Sequence, residues 1–219
     1  MASTKTALVI GATGLVGGQL LRQLLDSPDY ATVIALVRRP IDWQHPKLQQ
    51  IIFDFDHPDP EKVTGDDLYC AMGTTLKKAG SKEAQYRIDC LYPYEVGKIA
   101  RLNGFKQYLL VSSVGADAGS SNFYLRTKGE LEQKLRDLAF DTFISARPSI
   151  LFGEREESRP AEKIGIALAK GINGLLVGPW RKYRGIEAAT VAKALIRLAS
   201  QGLNGTHYVE SDQLQELGG

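Results

Sequence analysis

The stretch Leu8-Val9-Ile10-Gly11-Ala12-Thr13-Gly14-Leu15-Val16-Gly17 decides how this chain is read. It passes from an apolar segment through closely spaced glycines into residues 15–25, where apolar side chains recur at three- and four-residue steps. That is a strand, a tight turn and a helix. Gly11 permits the turn, Gly14 lets backbone approach a pyrophosphate, and Gly17 lets helix and strand pack closely. The helix N-terminus offers N–H groups and a positive dipole to phosphate oxygens. Such glycines alone are weak evidence, but here they sit in the strand-turn-helix context that the mechanism needs.

Outward from this unit the pattern repeats. Apolar runs at residues 7–10, 32–37, 50–53, 68–72, 108–111 and 142–146 each read as a buried parallel strand. Helical patterns fall at 15–25, 82–102, 125–138 and 188–198. Pro93 interrupts the second, marking a kink or a fresh start after Leu91, since proline is tolerated mainly in a first helical turn. Strands alternating with helices predict an α/β fold, a doubly wound parallel sheet of the Rossmann type with a short C-terminal region on the substrate side. With 219 residues, one domain spanning 1–219 is expected.

Composition narrows the function classes. The chain is 43% hydrophobic and 24% charged, as ordinary globular proteins are. A net charge of +2 without a long basic run gives no footprint for nucleic acid, and no apolar stretch is long enough to span a membrane. Cys70 and Cys90 follow no metal-ligand spacing and are too few for a disulfide framework, so reduced thiols and a cytoplasmic location are expected. His45, His57 and His207 lie far apart, and no metal site is expected. Trp43 and Trp180 read as packing residues.

The chemistry-bearing residues fall at predicted strand ends. After the second strand, an NAD-preferring site would present Asp or Glu to the ribose hydroxyls; this chain has Arg38 and Arg39, whose guanidiniums suit a 2′-phosphate and point to NADP(H). After the third, Asp54 and Phe55 are placed beside the adenine, although the Asp54 carboxylate equally suits a local turn cap. After the fourth, Gly73, Thr74 and Thr75 border the cofactor's ribose and nicotinamide or form a helix start. Lys77 and Lys78 continue a polar loop. After the sixth, Pro148 and Ile150 belong to a loop passing the nicotinamide.

Ser112 and Ser113 follow the fifth strand, and Tyr124 and Lys128 open the next helix four residues apart, on one face. The lysine ammonium favours the phenolate while reaching the cofactor ribose, and the phenol then donates or takes a proton. Ser113 would hold the substrate oxygen, or Ser112 if the strand register is shifted by one.

With these residues placed, the chain resembles the atypical short-chain dehydrogenases/reductases, within them the group similar to the HIV Tat-interacting protein 2. GATGLVG, LVRRP, CAMGTTLKKAGS, LLVSSVGAD, YLRTKGELE and ARPSILFGER occur in that group's order across nearly the whole chain. The resemblance implies NADPH binding through Gly11, Thr13, Gly14, Leu15, Val16, Gly17, Arg38 and Arg39, and a proton-transfer pair at Tyr124 and Lys128. It implies no particular substrate. The shortness of the region after Phe152, where larger relatives carry a substrate domain, predicts a small, open or partner-completed pocket. Residues 154–159 read as a charged lid or solvated loop, and residues 179–184 as a basic aromatic pocket wall or a solvated turn.

The expectation is an NADPH-dependent reductase or dehydrogenase acting on a small carbonyl or alcohol. Two alternatives stand beside it. An epimerase or dehydratase using the same residues on a nucleotide sugar would need more walls than the short C-terminal region offers. A redox-sensing regulator would bind NADP(H) and act through a protein partner without turnover; retention of tyrosine, lysine and serine together argues for catalysis. A homodimer is compatible with the sequence, though no helix advertises an unusually apolar outer face.

Overall fold

The computed structural model describes residues 4–153 and 178–219. Six strands come first: β1 (Thr6–Ile10), β2 (Thr32–Val37), β3 (Leu48–Ile52), β4 (Asp67–Cys70), β5 (Gln107–Val111) and β6 (Thr142–Arg147). The short β7 (Leu151–Phe152) and β8 (Ile186–Glu187) form a separate parallel pair, and β9 (Gly205–Glu210) returns to the main sheet. That sheet runs β3-β2-β1-β4-β5-β6-β9 with every pairing parallel. The order reverses between β1 and β4, so the fold's ligand crevice opens at their carboxyl ends.

Alternation within the strands sends side chains to two cores. Ala7 and Val9 join the cluster beneath α1 (Leu15–Asp26), while Leu8 and Ile10 face the opposite layer. Besides α1, the first layer holds α6 (Ala188–Ala199) and α7 (Ser211–Gly218); the second holds α4 (Tyr92–Leu102) and α5 (Phe123–Arg136). The spacing of Leu20, Leu21 and Leu24 puts all three on the buried face of α1, each worth roughly 2 kcal/mol in apolar surface removed from water.

Two strand expectations are corrected. The third strand lies at 48–52 rather than 50–53, and it is the partly exposed edge of the sheet, with Ile52 51% exposed. β9, which carries a short polar-apolar mixture and no apolar run, is a seventh strand that the sequence pattern did not mark. Between β4 and β5 the helical interval divides into α2 (Leu76–Ala79), α3 (Lys82–Tyr86), a wide π-helical turn at Arg87–Leu91, and α4. Pro93 sits in the first turn of α4, so the new segment does begin after Leu91; the wide turn ahead of it lets the chain continue winding past the donor that proline lacks. Trp180, read as a packing residue, is 62% exposed, whereas Trp43 packs on the core beneath Arg22. Residues 154–159 lie outside the described residues.

Candidate active site

A cleft of about 430 Å3 lies at the carboxyl ends of β1, β2 and β4. Its floor is the turn after β1. Gly11 holds a φ of +82°, a conformation that L side chains rarely adopt, and its carbonyl accepts the Gly14 N–H at 2.9 Å. A Cβ on Gly17 would stand 1.9 Å from the Gly11 carbonyl oxygen, so only glycine lets α1 approach the turn this closely. The first turn of α1 contains no acidic side chain and has no side-chain cap, leaving its N–H groups facing the cleft for an anion.

Of the residues expected to hold a cofactor, Gly11, Thr13, Gly14, Arg38, Arg39, Phe55, Gly73 and Thr74 line this cleft. Arg38 and Arg39 are exposed and have no ion pair among the described residues. Asp54 lies instead in an adjoining hollow of about 310 Å3 with Arg38, Phe55 and Tyr92. Its carboxylate accepts the Asp56 N–H at 2.9 Å, the local turn cap that its residue type allows. Leu15, Val16 and Gly17 form the first turn of α1, with Val16 and Gly17 buried. Thr75 does not line the cleft, because its hydroxyl caps α2 by accepting the Lys78 N–H at 3.3 Å. Pro148 and Ile150 are also outside the lining: Pro148 is buried, its carbonyl accepting the Val114 N–H at 2.9 Å, and Ile150 is 60% exposed.

Of the residues expected to transfer the proton, none is in the lining of this cleft, and Lys128 stands where β4 and β5 end. Lys128, 3% exposed, donates to the carbonyls of Met72 at 3.4 Å and Val111 at 3.3 Å, and so bridges the ends of those strands. Tyr124, one turn earlier on α5, is 37% exposed. Burial opposes the Lys128 ammonium, but Tyr124, Asp89, Cys70 and Glu132 outweigh it and hold its pKa above the ordinary lysine value. Ser113 is partly exposed and its Oγ donates to the Val114 carbonyl at 3.3 Å; the Ser112 hydroxyl is buried and has no partner. Of the two hydroxyls expected near a substrate, that of Ser113 is the partly exposed one.

Several site residues escaped the sequence reading. Lys78 lines the cleft and adds a third cation, and Ile88 and Tyr92, four apart around the wide turn, form its far wall. Tyr92 donates to Asp56 at 2.6 Å, tying the loop after β3 to α4. Asp89 lies wholly buried beside Lys128. The available signal was an acidic residue within an apolar helical face. Among the described residues no group of three or more His, Cys, Asp or Glu is arranged to hold a metal ion, and no helix is long and apolar enough to cross a membrane.

Comparison with known proteins agrees with this geometry. The sequence profile described as "NAD dependent epimerase/dehydratase family" matches residues 7–209. The chain is 36% identical over 211 residues to "Protein FMP52, mitochondrial" of Candida albicans, covering 91% of this chain and 90% of that protein. It is 32% identical over 221 residues to "Protein HTATIP2" of Rattus norvegicus, covering 98% and 89%, in keeping with the group its motifs resemble. Among solved structures, MoeE5 in complex with UDP-glucose and NAD superposes with a TM-score of 0.71 at 19% identity, over 93% of this chain and 75% of that one. A UDP-N-acetylglucosamine 4-epimerase from Methanobrevibacter ruminantium gives 0.69 at 18%, over 95% and 77%. These two likenesses concern the fold. The expectation of a cytoplasmic location is overturned by the relatives, since the fungal FMP52 proteins are mitochondrial by name. A profile match over nearly the whole chain, with relatives above 30% identity, establishes that the chain belongs to the NAD-dependent epimerase/dehydratase family.

Proposed function

We propose that this protein is an NADP(H)-dependent oxidoreductase that acts on a small carbonyl or alcohol, with Tyr124 handling the proton and Lys128 and Ser113 assisting. The observation that carries the reading is the pair Arg38 and Arg39, exposed on the cleft at the end of β2 and free of ion pairs among the described residues. An acidic side chain there would repel a 2′-phosphate; two guanidiniums attract it.

The residues present fit a dinucleotide. Gly11 and Gly17 leave no side chain between the β1 turn and α1, and the cleft offers backbone N–H groups, the cations Arg38, Arg39 and Lys78, and the hydroxyls of Thr13 and Thr74, with no carboxylate in its lining. When bound, the nicotinamide supplies or accepts the hydride. The chain's own residues do the rest. The first turn of α1 and Lys78 hold the pyrophosphate, and Arg38 and Arg39 the 2′-phosphate. Lys128, fixed by two carbonyls, has a donor left for the ribose hydroxyls and stabilises the Tyr124 phenolate. Tyr124 gives a proton to the substrate oxygen or takes one, while Ser113 hydrogen-bonds that oxygen.

A nucleotide-sugar epimerase is the second reading, favoured by the fold neighbours. This chain covers 90% of FMP52 and 75% of MoeE5.

Titration calorimetry with NADPH and NADH, on the protein and on an R38A/R39A variant, tests the cofactor assignment. NADPH is expected to bind at least tenfold tighter, about 1.4 kcal/mol, with the preference lost in the variant. Equal affinities, or no binding of either nucleotide, overturn it. Multiple-turnover oxidation of NADPH by candidate carbonyls separates an enzyme from a cofactor sensor acting through a partner.

A further inference from the structure

Asp89 is a carboxylate that the proton-transfer scheme above does not use, and it is 0% exposed. The wide turn at Arg87–Leu91 points it inward, beneath the segment that leaves β4. Its Oδ1 accepts the Thr74 N–H at 2.6 Å, and the Gln85 amide reaches its Oδ2 at 3.4 Å. Across Gly73 stands the Lys128 ammonium. A methyl group placed on Gly73 would lie 3.8 Å from Asp89 Oδ1 and 3.8 Å from Lys128 Nζ, so the absent side chain leaves a niche with an anion on one side and a cation on the other.

We propose that Asp89 is a positioning residue: its buried carboxylate balances the Lys128 ammonium across Gly73 and, through the Thr74 N–H, holds the turn after β4 in register with it. A buried carboxylate is expensive unless something at the site needs its charge. An asparagine would accept the Thr74 N–H equally well. What only the carboxylate adds is a charge opposite Lys128.

The inference rests on the reading of Lys128 as the lysine of the proton-transfer pair, but its test does not. The groups acting on Lys128 are Tyr124 and Glu132 from α5, Cys70 from β4 and Asp89 from the wide turn. Burial pushes the Asp89 carboxyl above its ordinary range, against Lys128, the Thr74 N–H and Gln85, which pull it down. Lys128 also acts on Cys90, the neighbour of Asp89.

The experiment is an NMR titration of the purified protein with carbon-13-labelled lysine, Lys128 being assigned by its loss in K128M. In Asp89→Asn the Lys128 midpoint is expected to fall by about one pH unit or more. NADPH affinity followed by calorimetry should begin to fail at correspondingly lower pH, whereas loss of a purely structural contact would weaken it evenly at every pH. A Lys128 midpoint that stays at its wild-type value overturns the proposal. Should Asp89→Asn not fold, the reciprocal measurement decides: the Asp89 carboxyl midpoint must rise in Lys128→Met, and an unchanged midpoint overturns the pairing. If the wild type binds no NADPH, the proposed function falls while the Lys128 titration still decides the role of Asp89.

Discussion

Glu132 holds Arg147 through two hydrogen bonds, from Nε to Oε1 at 3.0 Å and from Nη2 to Oε2 at 2.6 Å, with the carboxylate 4% exposed and the guanidinium 21%. Ser145 also donates to the same carboxylate at 2.6 Å, Glu210 accepts from Arg147 at 3.3 Å, and the guanidinium stacks 4.5 Å from the Tyr208 ring centre. The cluster fastens α5 to β6 and β9. Glu132→Ala leaves a guanidinium and a hydroxyl without their main partner, and a loss of about 3 kcal/mol is expected in urea unfolding. A paired replacement, Glu132→Leu with Arg147→Met, should recover most of it. A single variant as stable as the wild type would mean that the pair carries no net weight.

Gly17→Ala tests the turn itself. The added methyl would meet the Gly11 carbonyl oxygen at 1.9 Å and its carbon at 2.7 Å, both backbone atoms that cannot swing away. Thermal denaturation should show a clear fall in Tm, and calorimetry a loss of dinucleotide binding. Gly80→Ala is strained by a φ of +87° but has nothing within 4 Å of the new Cβ, so it should leave binding unchanged.

Salt should discriminate between the two nucleotides. The extra 2′-phosphate is expected to be held by exposed guanidiniums, and such contacts weaken as the Debye length shrinks from about 10 Å at 0.1 M toward 3 Å at 1 M. NADPH affinity should therefore fall more steeply with salt than NADH affinity, and the two slopes should converge in R38A/R39A. Parallel slopes in the wild type would place the 2′-phosphate elsewhere.

Tyr124→Phe removes the proposed proton carrier and little else, because the phenol makes no hydrogen bond among the described residues. Turnover should fall by roughly 10²- to 10⁴-fold with cofactor affinity unchanged. Lys128→Met should reduce both, since in the proposed scheme that ammonium serves phenol and ribose together. A Tyr124→Phe protein with undiminished turnover would sink the assignment.

Asp89 makes a prediction about stability that runs against its proposed usefulness. Its carboxyl pKa is raised in the folded state, mainly by burial. A raised folded value favours folding below the unfolded pKa and loses that benefit as pH climbs through the folded one. Asp89→Asn should therefore be at least as stable as the wild type at pH 7, with the difference closing as pH falls through the raised carboxyl value and gone below about 3.9, the unfolded aspartate value. Urea unfolding across pH measures this, and a variant clearly weaker at pH 7 would contradict it.

Much of the fold was legible because buried parallel strands read as continuous apolar runs, and all six expected strands stand within two residues of their predicted ends. The failures have a common physical origin. β3 and β9 are the two edges of the sheet, where only one side of each strand is covered and the apolar signal thins; β3 was placed late and β9 missed. The cleft positions of Gly11, Thr13, Gly14, Arg38 and Arg39 were readable because a dinucleotide fold asks for those residue types at those strand ends. Asp54 and Thr75 were ambiguous since short polar side chains cap turns as readily as they bind ligands, and capping is what they do here. Asp89 was invisible because its role depends on a widened turn, which no periodicity announces.

Arg38 and Arg39 are joined to nothing else among the described residues, and the turn that carries them follows a strand buried from Val33 to Val37. On the proposed reading of these arginines, dinucleotide choice and architecture are written in separate places. A lineage would then drift from one nucleotide to the other by changing two surface side chains while the core stays untouched, and an engineer would search those two positions without first repairing the scaffold.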